Sequence, residues 1–75
     1  MTTKPSSEIT PVEQIGETAG IVWRSLKENG PMTAAKLVKL VDQPRDLIMQ
    51  AVGWLAREDK IEISKKGASV NIRLK

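Results

Sequence analysis

Lys60-Ile61-Glu62-Ile63-Ser64-Lys65-Lys66-Gly67-Ala68-Ser69-Val70-Asn71-Ile72-Arg73-Leu74-Lys75 is the stretch that decides the fold. Ile61 and Ile63 alternate with Lys60, Glu62 and Ser64; Val70, Ile72 and Leu74 alternate with Ser69, Asn71, Arg73 and Lys75. A period of two sends neighbouring side chains to opposite faces of a strand. The stretch therefore reads as a β-hairpin with one apolar and one polar face. Lys65-Lys66-Gly67-Ala68 reads as its turn, with Gly67 supplying a positive φ. A lone hairpin is at best marginally stable, so its apolar face needs a cover from upstream.

Upstream of Lys60 the period is 3.6, and a third helix is expected over 44–59. Leu47, Ile48, Ala51, Val52, Trp54 and Leu55 fall on one side of its wheel, with Trp54 at the boundary. Asp46, Met49, Gln50, Gly53, Ala56 and Arg57 fall on the other. Pro44 suits the first helical position, and Asp46 suits the positive end of the helix dipole. Val41-Asp42-Gln43-Pro44 reads as a turn. Before it, Thr33 caps a second helix of about two turns, with Ala34, Leu37, Val38 and Val41 inward and Lys36 and Lys39 outward. Pro31-Met32 is an extended link that can add a short third strand.

A first helix is expected from 11 to 29. Thr10-Pro11-Val12-Glu13 forms a capping box with Pro at the first helical position. Val12, Ile15, Ala19, Val22, Trp23 and Leu26 recur on one face, and Asn29-Gly30-Pro31 ends the helix. With Trp23 in the core, its truncation to Ala is expected to cost ~3–5 kcal/mol. Gly16 and Gly20 lie inside this helix at a cost of about 1 kcal/mol each relative to Ala. They read either as close packing with another element of the domain or as a helix–helix contact in a dimer. Residues 1–10 are polar and are expected to form a flexible N-terminal tail, leaving 11–75 as one domain.

Long helix, link, helix, turn, helix and hairpin is the order of an α+β winged helix-turn-helix domain: three helices followed by a C-terminal β-hairpin wing. The chain from Ile15 to Leu74 also resembles a small family of stand-alone bacterial and archaeal winged-helix proteins of uncharacterised function. The resemblance rests on Ala19-Gly20-Ile21-Val22-Trp23-Arg24-Ser25-Leu26, on Asn29-Gly30, and on Gly53-Trp54-Leu55-Ala56-Arg57-Glu58-Asp59-Lys60-Ile61. It implies the fold, and no ligand, operator or reaction comes with it.

Charge divides the 75 residues unevenly. The whole chain carries 12 Lys and Arg against 9 Asp and Glu, a net of +3. Residues 60–75 hold five cations against Glu62, a net of +4, and residues 1–59 hold seven against eight, a net of −1. The wing residues Lys60, Lys65, Lys66 and Arg73, with Lys36 and Lys39 from the second helix, are therefore candidates for phosphate contacts with double-stranded DNA. Lysines on a hairpin also guard its edge against aggregation, so solubility is the competing reading. Arg45, Gln50 and Arg57 on the third helix have the chemistry to read base edges. Residues 44–59 carry a net of −1, however, so contact with DNA is expected to be led by the wing. A different reading takes Met49, Gly53, Trp54 and Ala56 as a strip for a protein partner or a second copy of the domain.

Composition excludes several chemistries. The chain has no Cys or His and only two aromatic residues, Trp23 and Trp54. A disulfide framework, a thiolate zinc site, His-based acid–base catalysis and an aromatic platform for single strands are thereby excluded or disfavoured. No Gly-rich phosphate loop, calcium-loop spacing or nucleophile with an orienting base is legible. The expectation is a binding domain, not an enzyme, with no cofactor and no metal. No apolar run approaches the ~20 residues that cross a bilayer, and no signal peptide is legible, so a cytoplasmic setting is expected.

Overall fold

The computed structural model describes residues 10–75. The expected tail lies outside the described residues except for Thr10, which belongs to the first helix as its cap. Six elements follow in order: α1 (Pro11–Asn29), β1 (Met32–Thr33), α2 (Ala34–Leu40), α3 (Arg45–Arg57), β2 (Ile61–Lys66) and β3 (Ser69–Leu74). They form an α+β winged helix, three helices with a three-stranded antiparallel sheet of order β1-β3-β2.

Local chemistry sets the helix ends. Glu13 N–H donates to Thr10 Oγ1 at 3.1 Å and Thr10 N–H donates to Glu13 Oε1 at 2.9 Å, closing the capping box. Gly30, at φ 83°, stops α1 while its N–H donates to the Leu26 carbonyl. Thr33 caps α2 by accepting from Lys36 N–H at 3.1 Å. The start of α3 departs from expectation. Pro44 is the cap residue itself, with an extended ψ of 144°, and Arg45 is the first helical residue. The helix is also shorter than 44–59. It stops at Arg57 because Asp59 takes a left-handed φ of 63°. There Lys60 N–H reaches the Leu55 carbonyl and Asp59 N–H reaches that of Ala56. These are the two bonds of a Schellman cap, built here on Asp where Gly is usual.

The wing turn is tighter than its four-residue reading. Lys65 and Lys66 belong to β2, paired with Val70 and Ser69, and only Gly67 and Ala68 form the loop. A positive φ at Gly67 alone fits a type II′ turn, whose twist matches that of the flanking strands.

The core takes Ala19, Val22 and Leu26 from α1, Leu37 from α2 and Ile48, Ala51, Val52 and Leu55 from α3. Met32, Val41, Ile61 and Ile72 close it. Three expectations about it change. Val12, in the first turn of α1, is exposed. Ile63 shares a face with Ile61 and Ile72 but is 45% exposed, since β2 is the edge strand and its middle projects past the helices. Trp23 is only half-buried, packed against the core from its rim with Lys27 Nζ 5.0 Å from its ring centroid.

Candidate nucleic-acid interface

The N-terminus of α3, the N-terminus of α2 and the tip of the wing meet at one end of the domain. Thr33, Ala34, Ala35, Arg45, Ala68, Ser69 and Val70 line the shallow cleft between them. Arg45 reaches this cleft because the extended Pro44 turns the chain immediately before α3 begins. The side chains at the rim are small, so a broad ligand backbone can approach closely. Lys36 and Lys39 are exposed on α2, one in its first turn and one in its last.

Gln50 and Arg57 are exposed on α3, on the same outward arc as Asp46 and Gly53. Arg57 sits at the far end of the helix from Arg45, beside Trp54 and Glu58. The structure therefore brings Arg45 to the wing and leaves Arg57 away from it.

Cross-strand pairing sorts the wing cations. Arg73 stands opposite Glu62, and its Nε donates to Glu62 Oε1 at 2.7 Å while Nη2 contacts the same oxygen. Lys60 Nζ lies 3.7 Å from Glu58, and Lys75 Nζ donates to Asp59. The bond to Asp59, together with its charge, raises the Lys75 pKa above the usual lysine range. Exposed pairs of this kind contribute little to stability, but they cancel much of the local field. Among the described residues, Lys65 and Lys66 have no ion-pair partner. The wing's positive potential is concentrated at its tip.

Lys65 and Lys66 are adjacent on a strand and so point to opposite faces of the wing. Lys65 shares its face with Ile63 and Ile72, toward the helices; Lys66 shares the outer face with Glu62 and Ser64. The tip presents one cation on each side of the ribbon.

The strip Met49, Gly53, Trp54 and Ala56 is divided by the fold. Met49 and Ala56 are partly buried and pack against the core, while Gly53 is exposed. Trp54 lies about 160° around the helix from Ala56 at 100° per residue. It turns toward α1, where Gly16, Ala19, Gly20, Trp23, Leu55, Glu58 and Lys60 line a groove with it. Two features were missed in the sequence. The role of Glu62 was legible from register: a two-residue loop at Gly67-Ala68 pairs 62 with 73. The meeting of Trp23 with Trp54 had no local signal, since it depends on how α1 crosses α3.

The chain belongs to the family described as Winged helix-turn-helix domain (DUF2582), whose model matches residues 11–74. It is 37% identical over 65 residues to the uncharacterized protein MJ1608 of Methanocaldococcus jannaschii, covering 83% of this chain and 91% of that one. A solved structure of the DNA recognition and protein interaction domains of HOP2 is similar at a TM-score of 0.66 and 27% identity, over 77% of this chain and 98% of that one. An ArsR family transcriptional regulator, RHA00566, has a TM-score of 0.64 at 20% identity, over 100% of this chain and 77% of that one. At that identity the second likeness speaks for the fold alone.

Proposed function

We propose that the domain binds double-stranded DNA, led by the wing tip, in a cytoplasmic and transcription-related setting. The observation that carries the reading is the clustering of Arg45 with the wing tip at one small-residue cleft, beside the two wing lysines that have no ion-pair partner among the described residues. Lys65 and Lys66 contact phosphates on either side of the ribbon, and Lys36 and Lys39 extend the basic surface. Phosphate contacts of this kind fix position and give salt-sensitive affinity. Arg45 and Gln50 are the base readers nearest that end, with the long fork of Arg45 suited to guanine and the amide of Gln50 to adenine. Arg57, Lys60 and Arg73 contribute less, Arg57 by its distance from the wing and the other two by their acidic partners. DNA recognition by HOP2, a structural neighbour above 25% identity, supports the reading. The chain acts by binding and not by catalysis in this reading.

The test is a titration of isotope-labelled protein with a mixed-sequence duplex at two salt concentrations. Amide shifts centred on Arg45, Lys65 and Lys66, with affinity falling steeply as salt rises, are the expected result. An unchanged spectrum at low salt refutes the proposal.

A further inference from the structure

The groove between α1 and α3 is an apolar feature at a distance from the cleft at the wing tip. Both tryptophans of the chain line it, Trp23 half-buried and Trp54 38% exposed. Gly16 and Gly20 form part of its floor. Close packing among the described residues does not account for these glycines, because a methyl group at either would meet none of their atoms within 4 Å. The helix bears their cost without any contact among those residues that needs them.

The charges along this face identify the occupant. Glu13, Gly16, Gly20, Trp23 and Lys27 recur at spacings of three and four, so they form one stripe along α1. The stripe is acidic at its N-terminal end, uncharged in the middle and basic at its C-terminal end. Such an order is complementary to itself when reversed. Two copies of α1 laid antiparallel, with Gly20 on the two-fold axis, set Glu13 of each against Lys27 of the other. Glu17 then faces Trp23, and Arg24 faces Gly16. Beside this stripe the groove rim carries Glu58 and Lys60, which pair with each other at 3.7 Å and so add no net charge to the face. An isologous interface requires a surface that matches its own copy, and this one does.

We infer that the α1–α3 groove is the interface with a second copy of this chain. The glycines let the two α1 backbones approach closely, and each Trp23 covers the glycine floor of the opposite copy. Trp54 closes the flank. The interface leaves the wing tip open, because Lys60 at the groove and Lys66 at the tip are separated by six residues of strand, roughly 20 Å. Two tips are then carried by one assembly.

Sedimentation equilibrium of the full chain tests the inference. The expected result is a reversible dimer for the natural sequence. Gly20→Leu should be a monomer with unchanged helix content, since the added side chain enters open space in one copy and blocks the second. Lys27→Glu should weaken association about tenfold or more and Lys27→Gln by less, because only the former sets a like charge against the acidic end of the second copy. The inference is overturned by a natural chain that stays monomeric up to millimolar concentration, which leaves the groove to a different protein. It is equally overturned by a dimer that Gly20→Leu leaves intact, or by one that Lys27→Glu does not weaken.

Discussion

Arg73 and Glu62 face each other across the wing, with the guanidinium Nε 2.7 Å from the carboxylate. This pairing changes what a basic wing can do. A cation held by its own neighbour must break or share that bond before it meets a phosphate. Glu62→Gln removes the competing charge without changing shape. It should tighten DNA binding at low salt and steepen the dependence of log affinity on log salt by ~0.9, the amount for one added phosphate contact. Fluorescence anisotropy over a salt series measures both. An unaltered slope would mean that Arg73 points away from the duplex.

Lys65 and Lys66 should behave in the opposite way. Each Ala substitution removes from the tip a cation with no ion-pair partner among the described residues, so each should lower the salt slope by ~0.9 and weaken binding across all sequences alike. Both positions are exposed, so urea stability should move by less than ~0.5 kcal/mol. Loss of affinity for one sequence only would instead point to base reading from the wing.

Trp23 and Leu37 separate the rim of the core from its centre. Leu37 is fully buried, and Leu37→Ala should cost ~2–5 kcal/mol in urea unfolding. Trp23 is partly exposed at the rim of the core beside Lys27, so Trp23→Ala should cost less in the monomer than Leu37→Ala, about 1–2 kcal/mol. Equal losses at the two positions would contradict this ranking.

Asp59 pays for its left-handed backbone. Asp59→Gly relieves a conformation that L-residues resist and should raise stability by ~0.5–1 kcal/mol, read as a higher urea midpoint at unchanged slope. Asp59→Ala keeps the strain and removes the carboxylate, so it should destabilise instead.

Lys75 links the chain end to that same cap, through its side chain to Asp59 and through its N–H to the Lys60 carbonyl. The bond to Asp59 raises the lysine pKa in the folded state. A raised pKa means that the folded state holds the proton more tightly than the unfolded one. Its stabilisation is therefore complete below the ordinary lysine pKa and is lost as pH rises through the folded value. Urea unfolding on the alkaline side should show a small decline in stability that Asp59→Asn abolishes. An identical decline in that variant would assign it to other groups.

Much of the fold was legible because it rests on short-range chemistry. The cap of Thr10 on Glu13, the stop at Gly30 and the change of period after Asp59 each involve residues within a few positions of one another. The inward face of α2 followed from spacing, and on α3 Ile48, Ala51, Val52 and Leu55 are buried as the wheel requires, but Met49 and Ala56, assigned to the outward side, also pack against the core while Trp54 is exposed. Ile63 was misplaced because alternation gives the face of a strand but not its position in the sheet. Only the strand order reveals that β2 is an edge.

The sequence by itself determined the elements, their order and the excess of positive charge in residues 60–75, since periodicity, caps and composition are local or additive properties. Tertiary structure decided which charges are paired and which apolar residues meet. Arg73 finds Glu62 eleven positions away, and Trp23 shares a groove with Trp54 thirty-one positions away. Electrostatic potential and apolar contact depend on distance in space, and chain folding sets those distances. That is why a net charge of +4 on the hairpin became, in three dimensions, two cations at its tip.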